Sequence, residues 1–136
     1  MILVDSSVWI DYLRARDTAE TAMLAQLFTQ ERLATGDLML AEVLQGSTSE
    51  TAFERTRRIM TASLALIPMV DAEVAIQAAR NYRLLRARGV TVRKTIDTLI
   101  ATRCIMEGYP LLFSDRDFVS FVEHLGLIDA MRLPAP

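Results

Sequence analysis

Short apolar runs alternate with stretches of helical periodicity along the whole chain. Ile2, Leu3 and Val4 form the first run and read as a buried strand. Asp5 ends it, and Ser6 and Ser7 offer hydroxyls for a helix N-cap. Val8, Trp9, Ile10 and Leu13 then supply one apolar helical face. From 18 to 30, Ala22, Leu24, Leu27 and Phe28 recur at helical spacing. Residues 33–35 predict a strand that Gly36 breaks, with Asp37 capping a helix over 38–45. A polar turn at 47–49 leads into a helix over 50–60. Residues 64–69 predict a weak strand, and Pro68 puts it at a sheet edge. Asp71 caps a long helix over 72–88, closed by Gly89. After a basic connector at 90–94, Thr95 caps a helix over 96–107 that Gly108 ends. Residues 111–113 read as a buried strand, 116–124 as a short helix and 127–130 as a last strand. The Pro-containing tail reads as loose.

Strands alternating with helices in this way predict a three-layer α/β/α sandwich around a mostly parallel central sheet. At 136 residues the chain fits one domain, 1–136, with a core of ordinary size. Internal repeats and long linkers are lacking. No apolar run reaches the ~20 residues that span a bilayer. The N-terminus lacks a basic segment ahead of an apolar one, so no signal peptide is expected. A single cysteine, Cys104, excludes an internal disulfide and a cysteine zinc site. Together these features point to the cytoplasm. The net charge of −2 argues for neither a nucleic acid nor a membrane partner. Lys94 is the single lysine beside fourteen arginines, a bias that suits phosphate contacts or reflects codon usage alone.

Four acids sit where carboxylates are unusual. Glu42 follows Met39 and Leu38 by three and four positions, so it lies on an apolar helical line. Asp97 heads a stripe of Ile100, Ala101, Cys104 and Ile105. Asp5 and Asp115 each follow a short apolar strand and should share one edge of the sheet, where open α/β sheets bind ligands. Each acid alone has an ordinary explanation as a turn or cap residue, a helix-dipole partner or half of an ion pair. Together they require more, because inward carboxylates repel one another unless a cation joins them. Oxygen ligands suit the hard ions Mg²⁺ or Mn²⁺. Such ions deprotonate water, orient it in line and stabilise a leaving oxygen, which is the chemistry of phosphodiester hydrolysis.

Four segments carry a resemblance: Val4-Asp5-Ser6-Ser7-Val8-Trp9-Ile10, Leu40-Ala41-Glu42-Val43-Leu44-Gln45-Gly46, Asp97-Thr98-Leu99-Ile100-Ala101 and Leu112-Phe113-Ser114-Asp115-Arg116-Asp117-Phe118. In this order they resemble the PIN-domain ribonucleases, and within them the VapC-type toxins of bacterial toxin–antitoxin pairs. The resemblance implies the α/β/α fold, Mg²⁺ or Mn²⁺ as cofactor, and RNA as substrate. It implies Asp5, Glu42, Asp97 and Asp115 as the metal-binding and catalytic acids, with Asp117 able to share the role of Asp115. Ser7 (or Ser6) and Ser114 would match hydroxyls beside the acids, although plain capping explains them too. A VapB-type antitoxin is the implied partner, seated in a groove of the early helices, and a homodimer the implied assembly. The segments 23–28 and 53–60 either line that groove or belong to the core.

Arg93 and Lys94 are RNA-binding candidates because they precede Asp97. Arg80, Arg83, Arg86 and Arg88 either meet phosphates or form a solvated helix face. Trp9 and Tyr12 could stack on bases, but Trp9 fits the core better. Cys104 reads as a core residue, and His124 has no catalytic setting. A haloacid-dehalogenase-like phosphatase needs a second Asp where Ser7 stands. A phospho-acceptor receiver domain needs a lysine in another context. The alternatives that remain are an RNA-processing nuclease without an antitoxin and a PIN-like module that binds without cutting. Attack by water predicts 5′-phosphate and 3′-hydroxyl ends.

Overall fold

The computed structural model describes residues 1–62 and 65–134. Its strands are β1 (Ile2–Val4), β2 (Leu33–Gly36), β3 (Ala65–Ile67) and β4 (Leu111–Leu112). The helices are α1 (Ser6–Leu13), α2 (Ala19–Thr29), α3 (Asp37–Leu44), α4 (Glu50–Thr61), α5 (Ala72–Ala87), α6 (Thr95–Glu107) and α7 (Val119–Leu125). The four strands form one sheet in the order β3-β2-β1-β4, and every pair is parallel. The expected start of the third strand, Leu64, and the end of the tail lie outside the described residues.

Strand side chains alternate between the faces of a sheet, and each face here packs its own core. Leu3, Ala34, Ile67 and Leu111 meet Leu85, Ile100, Phe118 and Phe121, so α5, α6 and α7 cover one face. Ile2, Val4, Leu33 and Leu112 meet Trp9, Leu24, Leu27, Val43 and Met60 on the other, under α1 to α4. The predicted sandwich is therefore the observed one. Trp9 is fully buried and packs edge-on against Phe28, with ring centroids 5.7 Å apart, as the core assignment requires. A buried side chain of this kind contributes about 1.5–3 kcal/mol.

Several boundaries differ from the sequence expectation, each for a local reason. Asp5 itself caps α1, accepting from the Ser7 backbone N–H, while Ser6 and Ser7 lie inside the helix. Gly36 belongs to β2 and precedes α3 directly. A Cβ there would sit 2.7 Å from Met39 Sδ and 2.8 Å from Met69 Sδ, so Gly permits the close approach. Asp37 is not a cap; its Oδ1 accepts from Met69 N–H at 3.0 Å and ties α3 to the segment after β3. Thr95 opens α6 rather than capping it, and Lys94 occupies the cap position without a side-chain bond. The expected short helix at 116–124 is a 3-10 turn (Arg116–Phe118) that runs into α7. The expected last strand is reduced to one parallel bridge, Asp129 to Leu111, followed by a 3-10 turn at Ala130–Arg132.

Candidate active site

Strand order places the site. From β1 the chain proceeds outward through β2 to β3, then returns on the other side of β1 with β4. The carboxyl ends of β1 and β4 therefore flank the point where the winding reverses, which opens a crevice at the sheet edge. Asp5 follows β1 immediately and donates its N–H to Leu112 O of β4 at 2.8 Å. Asp115 leaves β4 three residues beyond Leu112. The first turn of α6 brings Asp97, and α3 brings Glu42.

These acids act on one another. Burial raises the pKa of Asp5, opposed by its hydrogen bonds from Ser7, and the Asp115 charge raises it further. Glu42 is likewise raised by burial and then by the Asp5 charge, while Ser6 and Lys94 pull it down. Asp97 is pushed up to about 7, first by burial and then by the charge of Asp5, with Lys94 opposing. Asp5 and Asp97 are only 3 % and 4 % exposed. Two carboxylate oxygens, Asp97 Oδ2 and Glu42 Oε1, are buried with no hydrogen-bond partner among the described residues. Leaving such an atom unpaired costs about 1–3 kcal/mol, and more when it is charged.

One oxygen each of Asp97, Asp115 and Asp117 lies within 4.8 Å of the other two. Asp117 thus joins Asp97 and Asp115, because the 3-10 turn folds it back, while Asp5 and Glu42 of the expected metal acids lie outside this group of three. Its backbone N–H donates to Asp115 Oδ1 at 2.9 Å. Ser7 Oγ donates to Asp5 Oδ2 at 2.6 Å, and Ser114 Oγ donates to Ser7 Oγ at 3.1 Å. The two hydroxyls form a chain that holds the Asp5 carboxylate. Lys94 Nζ lies 3.9 Å from Asp115 Oδ2, so it faces the acids and Arg93 lies exposed beside it.

The donor set fits a hard divalent cation: the oxygens of Asp97, Asp115 and Asp117 lie together, Asp97 Oδ2 has no partner among the described residues, and burial and neighbouring charge raise the proton affinity of Asp97. Zinc chemistry has no foothold there. Cys104 is buried with its thiol pushed up to about 12, and the His124 ring contacts Arg88 at 3.0 Å instead.

The PIN-domain family profile matches residues 2–123. The chain belongs to the PIN-domain family. Its PIN domain is 31 % identical over 123 residues to the VapC ribonuclease Mb1587 of Mycobacterium bovis, covering 87 % of this chain and 89 % of that protein. Ribonuclease VapC11 of Mycobacterium tuberculosis matches with the same identity and coverage. Among solved structures, VapBC2 from Rickettsia felis, bound to a DNA fragment from its promoter, superposes with a TM-score of 0.72 at 19 % identity. That match covers 94 % of this chain and 96 % of the other. The sarcin-ricin-loop-cleaving toxin VapC20 of Mycobacterium tuberculosis gives a TM-score of 0.68 at 18 % identity, over 96 % and 98 % of the two chains.

The segments 23–28 and 53–60 are in part core and in part line hollows: Met23 and Leu27 border one of about 400 Å³ and Thr56 another. Leu24, Leu27 and Met60 are core, with Met23 and Phe28 packed against them. A hollow of about 400 Å³ that reaches Glu42 is lined by Ile10, Leu13 and Arg14 of α1, Glu42 and Val43 of α3, and Ala52 and Thr56 of α4. Sequence periodicity gave no sign of it, because it forms only where three helices meet. Tyr12 is half-buried against Trp9 and Phe28, away from a base-stacking role.

Proposed function

We propose that this PIN domain is a Mg²⁺- or Mn²⁺-dependent endoribonuclease, the toxin of a cytoplasmic toxin–antitoxin pair. One observation carries the reading: Asp5, Glu42, Asp97 and Asp115 converge on one crevice with two buried carboxylate oxygens left unpaired. Asp97, Asp115 and Asp117 would hold the cation, and Asp5 and Glu42, whose charges act on Asp97, would complete its acidic surroundings. When bound, a hard dication supplies positive charge that polarises a phosphodiester and acidifies water. Ser7 and Ser114 keep the Asp5 carboxylate in one orientation. Glu42, half-buried and raised in proton affinity, is the group suited to accept a proton from attacking water. Lys94 balances charge beside Asp115, and Arg93 offers a phosphate contact. Water as nucleophile leaves 5′-phosphate and 3′-hydroxyl ends.

The relatives named VapC, and the toxin–antitoxin complexes among the structural matches, support an antitoxin as partner. The hollow lined by Ile10, Leu13, Val43 and Glu42 suits an amphipathic antitoxin segment whose basic residue meets the acids. A homodimer of the toxin belongs to the same reading. The deciding experiment is cleavage of end-labelled RNA by purified protein with Mn²⁺, with Asp97→Asn as control. Cleavage by the wild type and loss in the variant support the nuclease. Equal cleavage by both marks a contaminant and leaves a binding module. Products ending in 2′,3′-cyclic phosphate overturn the proposed chemistry.

A further inference from the structure

Helix α6 carries Asp97 in its first turn and packs along α5. Leu85 of α5 shares one apolar core with Ile100, Ala101 and Cys104 of α6. Apolar contact is non-directional. It therefore ranks neighbouring registers of two helices less sharply than a buried polar pair does.

A buried polar chain crosses this seam. Gln77 Nε2 donates to Asn81 Oδ1 at 3.0 Å, and Asn81 Nδ2 donates to Thr102 Oγ1 at 3.0 Å. Asn81 is 5 % exposed and Thr102 is fully buried. Groups buried this deeply are costly unless paired, and a slide of α6 along α5 would unpair both. An ion pair of Arg103 with Asp71, at 3.7 Å, also joins α6 to α5. Its carboxylate is largely exposed, so it holds the register less firmly.

Register matters at the other end of α6. Thr102 follows Asp97 by five positions, about 7.5 Å along the helix axis. A slip of one turn would move Asp97 by about 5.4 Å. That exceeds the 4.8 Å within which its oxygen meets those of Asp115 and Asp117. A smaller shift also counts, because Mg²⁺ demands near-ideal ligand geometry. Asp115 and Asp117 belong to the segment after β4, so the seating of α6 sets the Asp97 side of the group.

We propose that Asn81 and Thr102 are positioning residues of the metal site, whose bond seats α6 on α5 at the register that brings Asp97 beside Asp115 and Asp117. The proposal rests on the metal-dependent reading above and adds what holds Asp97 in place.

The test is Mn²⁺ binding to the full chain by calorimetry, beside urea unfolding of the metal-free protein. Thr102→Val leaves Asn81 Nδ2 buried and unpaired. It is expected to lower the urea midpoint and to weaken Mn²⁺ binding at least about tenfold. The double variant Asn81→Leu with Thr102→Val removes both polar partners, and half-buried Gln77 can turn to water. It is expected to recover the urea midpoint while Mn²⁺ binding stays weak. Thr102→Ser keeps the hydroxyl and loses a buried methyl. It is expected to unfold at lower urea than the wild type and yet to bind Mn²⁺ equally well. A role in stability alone would instead make Mn²⁺ affinity follow the urea midpoint. A folded double variant that binds Mn²⁺ as the wild type does overturns the proposal. Equal Mn²⁺ affinities in Thr102→Val and Thr102→Ser overturn it too, without need of the double variant. Wild-type protein that binds no Mn²⁺ removes the metal site and the positioning role together. Wild-type binding that the variants leave untouched removes the positioning role alone.

Discussion

Asp97 is an acid of the crevice whose electrostatics are strongly altered by its surroundings. Its folded pKa is raised to about 7, by burial first and by the Asp5 charge second. In the unfolded chain the same group ionises in the usual carboxylate range. Between those values the folded protein keeps a proton that the unfolded chain has lost, so the stability Asp97 contributes at low pH is lost as pH rises through about 7. Metal-free protein should therefore resist urea better near about pH 5 than near about pH 8, and saturating Mn²⁺ should remove the difference. Asp97→Asn takes away the buried charge. At the higher pH it should stabilise the metal-free chain by roughly 1–3 kcal/mol in urea melts, while lowering RNA cleavage at least about a hundredfold. Ser7 acts through Asp5. Removing its 2.6 Å hydrogen bond in Ser7→Ala should weaken Mn²⁺ binding about 10–100-fold by calorimetry, with little change in the metal-free fold. The four acids stood out in the sequence because carboxylates on apolar lines are costly. Asp117 was less plain, since only the 3-10 turn shows that its oxygen reaches Asp97 and Asp115.

At the scale of elements, the β2–α3 junction is packed closely around Gly36. Gly36 lets Met39 and Met69 approach the backbone, and Asp37 ties down Met69 N–H. Gly36→Ala should lower stability by about 1–3 kcal/mol in urea unfolding, through overpacking. Because α3 also carries Glu42, the same variant should weaken RNA cleavage more than an exposed change such as Glu31→Ala. The sequence marked Gly36 as a break but not why glycine was required there, since Met69 is 33 positions away. For the same reason Asp37 read as a cap. Its partner comes from beyond β3, and local spacing cannot register such a bond. Helix periods, by contrast, were legible: α2, α4, α5 and α6 lie where apolar residues recur and where Asp71 and Gly108 punctuate the chain.

The whole molecule brings these parts to one edge. Four parallel strands buried on both faces leave their carboxyl ends as the place where acids can collect. No helix among the described residues is long and apolar enough to cross a membrane. A cation bound there favours the folded state by mass action. At a hundred times its dissociation constant, Mn²⁺ should add about 2.7 kcal/mol of stability to the wild type and much less to Asp97→Asn, read as urea or thermal midpoints. Co-expression with the gene neighbouring its own should suppress RNA cleavage if that gene encodes the antitoxin. Leu13→Arg in the hollow beside Glu42 should then restore cleavage in the pair, measured on total RNA.

The sequence by itself determined the alternation of strands and helices, the sandwich that follows, and the four acids, because hydrophobic period and misplaced charge are local properties. Tertiary structure decided what those acids share. The return of β4 beside β1 opens the crevice, and the 3-10 turn carries Asp117 beside Asp97 and Asp115. Each of these depends on contacts between residues distant in the chain, and the free energy of such contacts leaves no mark on the spacing of neighbours.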